Sequence, residues 1–388
     1  MRPDTPAPAT ADIAVVGAGV VGAAIAYETA RRRPDLRVLL VDTHRPVIGA
    51  TAYSAGILRR HHTFLPDAEL ADRSLSVYRE MGDAAGYRPL GFLLLLPGEF
   101  VPRLERNLAA SGTLRAASQV LGAAELRARY GALSVSDDEV GVLEHDGGYG
   151  APATAAATFR ERAVRAGARW MPGRRVDALE RTGDRWRLHT NLGAVEADQV
   201  VLATGAATRG LGETAGIEIP LTPRRIGLVT VEPAGRAHDG LPVVIDDVTG
   251  TYFVPQPGGE VALGVRARPE DERVIPAAPL DGDEVGEAIA RAARRVAAFG
   301  GCVVTGSQAA SDGYTPDGRP LLGPVEGAPG LQLACGFSGG GFKSAPAVAS
   351  LLAESLTSGV VPDLLRHYLP DRYHHGRECR GQDSYTHL

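Results

Sequence analysis

The order of apolar and polar positions in the first forty residues predicts a strand, a helix and a second strand. Residues 12–16 are an apolar run that ends at Gly17, and residues 38–41 are a second apolar run that ends at Asp42. The alanine-rich stretch between them ends near Arg31 to Arg33 and has the length of a helix. Short apolar runs joined by a helical stretch are typical of a βαβ unit.

Beyond this unit the pattern changes repeatedly between helical and extended segments. It predicts helices over residues 67–85, 100–110, 152–165, 282–298 and 339–357, strands over 92–96, 175–180, 185–190, 199–203, 303–308 and 331–334, and a strand-rich region over 224–266. This order predicts an α/β fold with α+β elements, in which two domains are interleaved by several chain crossings. We assign 12–90, 145–219 and 301–370 to a Rossmann-like cofactor-binding domain, 91–144 and 220–300 to a mixed-sheet substrate domain, and 1–11 and 371–388 to flexible tails.

Composition narrows the class of protein. The 388 residues are 44% hydrophobic and 22% charged, which is typical of a globular protein large enough for two domains. The formal charge of −5 and the lack of a long basic block exclude nucleic acid as an expected partner. The longest leucine run ends at Pro97 after five residues, too short to span a membrane. Three scattered cysteines favour a reducing, cytoplasmic setting and no metal site.

The turn after the first strand reads Gly17-Ala18-Gly19-Val20-Val21-Gly22. In a dinucleotide fingerprint the first glycine allows a tight turn, the second lets the backbone approach a pyrophosphate, and the third lets helix and strand pack closely. Asp42 lies about 20 residues beyond Gly22, where the fingerprint places an acceptor for a ribose hydroxyl. The motif predicts a nucleotide cofactor but does not distinguish NAD from FAD.

Two further segments contain small residues that suit a close approach by a cofactor. Residues 49–60 include Thr51 and end in Arg59 and Arg60, which could reach a substrate carboxylate. The alternative is a turn followed by two solvated arginines. The strand 199–203 runs into Thr204 and Gly205, a small-residue turn.

The last third of the chain carries a glycine-rich turn that opens a helix. Gly339, Gly340 and Gly341 would leave backbone N–H groups bare, where they could donate to a flavin carbonyl. A purely structural turn is the alternative, although three glycines weaken a helix. Lys343 follows one turn later and is the only lysine in the sequence. A glycine turn at each end of the chain indicates one flavin that both ends bind together.

These motifs together resemble the D-amino-acid oxidase family of FAD-dependent amine oxidoreductases. Within it the chain is most similar to monomeric sarcosine oxidase, the beta subunit of heterotetrameric sarcosine oxidase, and glycine oxidase. The resemblance rests on the fingerprint with Asp42, on residues 51–59, on Ala203-Thr204-Gly205, on Thr315-Pro316-Asp317, and on Gly336-Phe337-Ser338-Gly339-Gly340-Gly341-Phe342-Lys343.

The resemblance implies FAD at the interface of the two domains and oxidation of a C–N bond by hydride transfer to flavin N5, which gives an imine. It implies that Lys343 and either Arg59 or Arg60 hold the carboxylate of an amine or amino-acid substrate, with Tyr252 in the pocket. Arg266, which replaces a family histidine, could add a further cation there. The implied cofactor-binding residues are Gly17, Gly19, Val20, Val21, Gly22, Asp42, Thr43, Thr51, Ser54, Val176, Thr204, Gly205, Gly339, Gly340, Gly341, Phe342 and Lys343.

Two departures from the sarcosine oxidase pattern change these expectations. The cysteine that links FAD covalently falls near Ala310, so the cofactor is expected to be non-covalent. The lysine that activates oxygen aligns with Ala262, and a pocket histidine aligns with Arg266. These replacements argue against rapid use of molecular oxygen.

Three other functions remain open at this point. A 2-hydroxy-acid dehydrogenase on the same fold would use the same cationic pocket. The chain could instead be a flavin-binding subunit of a larger complex, or an NAD enzyme, although the latter gives no reason for the C-terminal glycine turn. The electron acceptor, oxygen or a carrier, and the oligomeric state are not decided by the sequence.

Overall fold

The computed structural model describes residues 9–236, 238–269, 274 and 277–379. The strands are β1 (Ala9–Val16), β2 (Val38–Asp42), β3 (Ile57–Leu58), β4 (Phe92–Pro97), β5 (Ser118–Gly122), β6 (Glu139–Glu144), β7 (Gly148–Tyr149), β8 (Arg169–Pro172), β9 (Val176–Thr182), β10 (Arg185–Thr190), β11 (Val195–Leu202), β12 (Thr222–Glu232), β13 (Val243–Asp246), β14 (Thr251–Pro255), β15 (Val261–Pro269), β16 (Val303–Tyr314), β17 (Leu321–Pro324) and β18 (Leu331–Cys335). The helices are α1 (Val20–Arg32), α2 (Leu65–Met81), α3 (Val101–Ala110), α4 (Gly112–Ala117), α5 (Ala123–Arg129), α6 (Pro152–Arg165), α7 (Thr208–Thr214), α8 (Gly282–Arg295), α9 (Gly341–Ser358) and α10 (Asp363–Arg366).

The first sheet has the order β17-β18-β11-β1-β2-β8, and its central strands are parallel. The β9–β10 hairpin joins the first half of β11. Alternate residues of β1 point to opposite faces, so Ile13 and Val15 pack under α1, α6 and α9, while Ala14 and Val16 pack on the β10 side. A parallel sheet covered on both faces requires the continuous apolar strands that the sequence shows.

The second sheet has the order β16-β12-β15-β14-β13-β4-β6-β5. Its outer face packs against α8 and α5, and its inner face contacts α3 and the segment that contains Ala55 and Ile57. Arg295 of α8 fixes the outer layer, because its buried guanidinium pairs with Asp246 at 2.7 Å and Glu139 at 2.6 Å.

The mixed α/β architecture, with two large sheets and the short β3–β7 pair, confirms the predicted fold class. The chain crosses between the sheets several times, as the interleaved pattern predicts. One assignment differs: the predicted cofactor domain included residues 303–314, but β16 pairs with β12 along its length and lies in the second sheet. The sequence pattern shows that a segment is a strand. It does not show which sheet the strand joins, because that depends on pairing with strands distant in the sequence.

The C-terminal segment corrects the expectation of a flexible tail from residue 371. Arg372 is only 2% exposed and forms an ion pair with Asp317 at 2.8 Å. The Tyr373 hydroxyl donates to the same carboxylate at 2.6 Å, and the Cys379 amide donates to it at 3.0 Å. The predicted tail residues 380–388 and 1–8 lie outside the described residues, whereas Ala9, Thr10 and Ala11 already belong to β1.

No single helix in the described ranges is long and apolar enough to cross a membrane. The bent pair Gly341–Ser358 and Asp363–Tyr373 meets the length and composition test only when its two parts are taken together, and they meet at 102°.

We expect Arg372→Met to lower the stability of the protein by about 3–5 kcal/mol, because it leaves the buried Asp317 carboxylate without its charged partner. Urea unfolding followed by fluorescence measures the change. Arg366→Met is the control, since its ion pair with Asp363 is exposed and should contribute less than about 1 kcal/mol. Equal effects of the two variants would contradict a stabilising role for the Asp317 pair.

Candidate active site

The carboxyl ends of the parallel strands meet at one edge of the first sheet. β1 leads into Gly17, β2 ends at Asp42, β11 leads into Thr204 and Gly205, and β18 leads into Gly336. Ligands of open α/β sheets bind at this edge. Four segments that are far apart in the sequence are thus brought together, which is what the paired glycine motifs predict.

Gly17 and Gly22 are required by the packing of this edge. Gly17 has φ +100°, and a Cβ on it would lie 2.4 Å from the carbonyl oxygen of Ala203. A Cβ on Gly22 would lie 1.9 Å from the carbonyl oxygen of Gly17. Because backbone atoms fill both positions, any side chain there would separate α1 from β1 and β11.

The first turn of α1 lies between Thr51 and Asp42. The Val20 amide donates to the Thr51 hydroxyl at 3.3 Å, and the Ala18 amide donates to the Asp42 carboxylate at 2.6 Å. Asp42 also accepts from the His44 amide at 2.7 Å. Gly19, the N-cap residue of α1, provides no side-chain cap, and the first turn carries no acidic residue. This leaves the positive end of the helix open to an anion.

The other predicted cofactor residues lie around the same edge. Thr43 is exposed directly after β2, and Val176 is buried at the start of β9. Ser54 accepts from the Gly56 amide at 3.1 Å. The Thr204 and Thr208 hydroxyls lie 3.0 Å apart, and Gly205 has φ +57°. Val20 and Val21 are buried, so only their backbone can face a ligand.

The glycine turn before α9 differs in part from the predicted arrangement. The Gly339 amide is not bare, because it donates to the buried Asp312 carboxylate at 2.9 Å. The Gly340 amide donates to the Phe337 carbonyl at 2.8 Å. The helix begins at Gly341, and its N-cap Gly340 lacks a side-chain cap. Only the first-turn amides from Gly341 onward are therefore free of these turn contacts.

The turn holds its shape through a strained residue. Ser338 has φ +50°, the single positive value among non-glycine residues in the described part of the chain. Its amide donates to the Gly313 carbonyl at 3.1 Å, and its hydroxyl donates to the Gly336 carbonyl at 3.2 Å. Such strain persists only where surrounding contacts determine the conformation, and it is common at ligand sites.

Lys343 lies one turn into α9 and folds back over the turn. Its ammonium donates to the Gly339 carbonyl at 3.2 Å, and the side chain is partly buried. Burial, and then the charge of Arg59, lowers the pKa of Lys343 to about 7, with Asp67 and Asp312 acting in the opposite direction. The ammonium therefore lies in a cationic environment where an anionic ligand would be stabilised.

Arg59 and Arg60 have different environments. Arg60 pairs with Asp72 at 2.5 Å and with both carboxylate oxygens of Asp146, at 2.5 and 2.8 Å. Arg59 is buried, its guanidinium carbon lies 5.7 Å from the Phe92 ring centre, and its burial lowers its pKa. Arg59 acts electrostatically on Lys343, and Arg60 is held by its two acids.

Three residues that interact electrostatically with Lys343, namely Asp67, Arg319 and His62, were not predicted as site residues. Arg319 pairs with Asp67 at 2.6 Å, and the Tyr368 hydroxyl donates to Asp67 at 2.8 Å. His62 is kept neutral, because burial and then the charge of Arg59 lower its pKa well below the usual value. Arg319 follows the quoted Thr-Pro-Asp motif, but no local pattern pairs it with Asp67, which lies on a distant helix.

The inner face of the second sheet forms the opposite wall. The ring of Tyr252 lies over Gly264, where a Cβ would be only 2.1 Å from a ring carbon. Burial raises the pKa of Tyr252 to about 12, so its hydroxyl stays protonated. Tyr314 lies nearby, with its hydroxyl 3.7 Å from the position of a Cβ on Gly339. Ala262 packs beside Tyr252, whereas Arg266, further along β15, is exposed.

The residues at the sheet edge fit a dinucleotide. Two helix N-termini, those of α1 and α9, lack side-chain caps and first-turn acids, so both favour an anionic ligand. Together with the sheet order, this arrangement defines a dinucleotide-binding protein with a Rossmann-like domain.

Sequence comparison then gives the family. The family model described as "DAO: FAD dependent oxidoreductase" matches residues 12–355, and the chain belongs to this family. The monomeric sarcosine oxidase of Streptomyces avermitilis is 27% identical, over 90% of this chain and 94% of that protein. The mitochondrial sarcosine dehydrogenase of Mus musculus is 25% identical over 96% of this chain, which spans only 42% of that longer protein.

Solved structures share the fold. The L-proline dehydrogenase from P. horikoshii superposes with a TM-score of 0.88 at 24% identity, covering 96% of this chain and all of that chain. The glycine oxidase from Geobacillus kaustophilus superposes with a TM-score of 0.80 at 24% identity, covering 90% and 95%. The predicted resemblance to sarcosine and glycine oxidases is therefore confirmed at the level of family and fold.

We expect Gly22→Ala to reduce flavin retention strongly and to lower stability by about 1–3 kcal/mol, because the new Cβ overlaps the Gly17 carbonyl. The flavin absorbance per chain and the thermal midpoint measure the two effects. Gly286→Ala on α8 is the control, since its Cβ meets nothing within 4 Å and alanine favours a helix. A fully yellow Gly22→Ala protein would contradict the packing argument.

Proposed function

We propose that this enzyme oxidises the C–N bond of a small amino acid or secondary amine that bears a carboxylate. The observation that carries the proposal is the position of Lys343 beside the buried Arg59, at the junction of the glycine turn and the inner face of the second sheet. An ammonium and a guanidinium in partial burial stabilise a carboxylate by charge-assisted hydrogen bonds.

Arg59, and not Arg60, is the proposed second ligand of the carboxylate. Arg60 already makes ion pairs with Asp72 and Asp146, and breaking them would leave Asp146 only its longer contact with Arg79, at 3.3 Å. The backbone of Arg60 also donates to Glu144 at 2.8 Å, which fixes the segment that carries Arg59. Arg60 therefore supports the position of Arg59.

FAD is the proposed cofactor, bound without a covalent link. Gly17–Gly22, Asp42 and Thr51 would hold its nucleotide part, and Gly205 and the first turn of α9 would hold the flavin part. When bound, FAD supplies the acceptor for the hydride that leaves the carbon next to nitrogen. Residues 308–312 of β16 contain no cysteine, and the buried Cys335 thiol has a pKa raised by burial to about 12, which disfavours reaction.

The cationic pocket also sets the protonation state of the substrate amine. Lys343, Arg59 and Arg319 place positive charge around the site, which disfavours a second cation beside them. The amine is therefore expected to bind in its neutral form, so that no protein base is required. The apolar face around Tyr252 and Ala262 would exclude water from the reacting carbon.

We propose a carrier, and not molecular oxygen, as the preferred electron acceptor. By the sequence resemblance, the oxygen-activating lysine of sarcosine oxidase aligns with Ala262, which belongs to the same inner-face cluster as Tyr252. No described residue near it supplies an ammonium, because Lys343 is the only lysine in the sequence.

We expect Lys343→Met to lower kcat/KM roughly 10- to 100-fold, which corresponds to one lost charge-assisted hydrogen bond. Anaerobic flavin bleaching with glycine, sarcosine, proline and D-amino acids gives the substrate and its rate. Lys343→Arg should retain part of the affinity because it keeps the charge. An unchanged kcat/KM in Lys343→Met would exclude the proposed role, and bleaching by 2-hydroxy acids alone would identify a hydroxy-acid dehydrogenase.

Binding of a carboxylic acid without an amine should weaken as pH rises above about 7, because Lys343 is charged below its pKa and neutral above it. The affinity should fall by up to about tenfold per pH unit above that pKa and then level off, with a total loss of roughly 10- to 100-fold, as expected for Lys343→Met. Since the sequence contains one lysine, reductive methylation with labelled formaldehyde gives one side-chain NMR signal that reports this pKa directly. A midpoint near the ordinary lysine value would contradict this pH dependence.

We expect the reduced enzyme to transfer electrons faster to a dye carrier than to oxygen, and Ala262→Lys to raise the rate of reoxidation by oxygen. Stopped-flow mixing of reduced enzyme with aerated buffer measures both rates. Val254→Lys on the same face of the second sheet is the matched control for a buried charge. Rapid reoxidation of the unmodified enzyme by oxygen would make it an oxidase.

A further inference from the structure

Arg224 lies on the inner wall of the site and has no role in the function proposed above. It pairs in register with Asp312 across β12 and β16, so the two side chains share one face of the sheet. Its neighbour Arg225 points the opposite way and pairs with Glu284 of α8 at 3.1 Å. One of two adjacent arginines thus stabilises the outer layer, while the other faces the site.

The guanidinium of Arg224 stacks on Tyr314, with its central carbon 4.6 Å from the ring centre. The Tyr314 hydroxyl in turn lies close to Gly339, whose carbonyl accepts from Lys343. One tyrosine therefore separates Arg224 from the turn that carries the lysine. Arg224 and Lys343 lie on the two opposing walls of the same site.

The Nε of Arg224 is fully buried and has no hydrogen-bond partner among the described residues. Asp312, the nearest acid by register, is occupied by the Gly339 and Gly313 amides at 2.9 and 2.8 Å. A buried guanidinium donor without an acceptor is costly, and a ring face satisfies its charge but not its N–H groups. An acidic ligand would satisfy both.

We propose that Arg224 forms a second anion subsite, and that the substrate is an amine or amino acid with a second acidic group. This inference rests on the proposed function and specifies its substrate class. One carboxylate binds at Lys343 and Arg59, and the second binds at Arg224 above Tyr314, so that the amine lies between the two walls. Amines with a single carboxylate fill only the first subsite.

Equilibrium binding of unreactive acids to the flavin-loaded enzyme tests the proposal without turnover. Titration calorimetry compares succinate with propionate, and glutarate with butyrate, in wild type, Arg224→Met and Lys343→Met. We expect each diacid to bind roughly 10- to 100-fold more tightly than its monoacid in wild type. Arg224→Met should remove this preference and leave monoacid binding within about twofold. Lys343→Met should weaken both classes.

Arg129→Met is the matched control, because Arg129 also stacks on a tyrosine, at 5.6 Å, but lies on the outer side of the second sheet. It should leave both affinities unchanged. Equal affinity for diacid and monoacid in wild type, or a diacid preference that persists in Arg224→Met, would overturn the second subsite. If Lys343→Met leaves the affinity for both classes of acid unchanged, the first subsite at Lys343 and Arg59 is contradicted, which is a different result from failure of the second subsite.

Discussion

The fold and the site both depend on the close approach of three backbone segments at the edge of the first sheet. The Gly17 carbonyl occupies the space beside Gly22, and the Ala203 carbonyl occupies the space beside Gly17. These contacts fix the distances between β1, α1 and β11. The uncapped N-terminus of α1 consequently lies at this edge of the sheet, where the helix dipole favours an anion.

The second part of the site depends on a different set of contacts. α9 packs along α1, and its first turn is positioned by Asp312 and by the strained Ser338. Lys343 is thereby held above the turn and beside Arg59. The neighbouring arginines differ mainly in their partners: Arg60 and Arg319 are matched by carboxylates, whereas Arg224 has only an aromatic ring among the described residues. An arginine that already has a carboxylate partner, such as Arg60 or Arg319, is less able to bind an acidic ligand than Arg224.

Local motifs made part of this arrangement predictable from sequence. The strand, glycine turn and helix of residues 12–33 are determined by neighbours in the chain, and so is the glycine-opened helix that carries Lys343. The pairing of β16 with β12 was not predictable, because an apolar strand does not specify its partner. The different environments of Arg59 and Arg60 were not predictable either, because Asp72 and Asp146, which pair with Arg60, belong to other elements. Arg372 was predicted to lie in a polar tail because its partner Asp317 is distant in the sequence. In the structure the two form a buried ion pair.

The separation of the two glycine turns along the polypeptide affects how the protein is made. A chain emerging from the ribosome presents Gly17, Asp42 and Thr204 long before β18 and α9 exist, and α1 has no α9 to pack against until then. A nascent chain thus carries the uncapped N-terminus of α1 before α9, the helix that carries Lys343, has been made. A cofactor that needs both helix ends would therefore reach its final geometry only after α9 is translated, and α1 keeps an apolar surface uncovered during that interval.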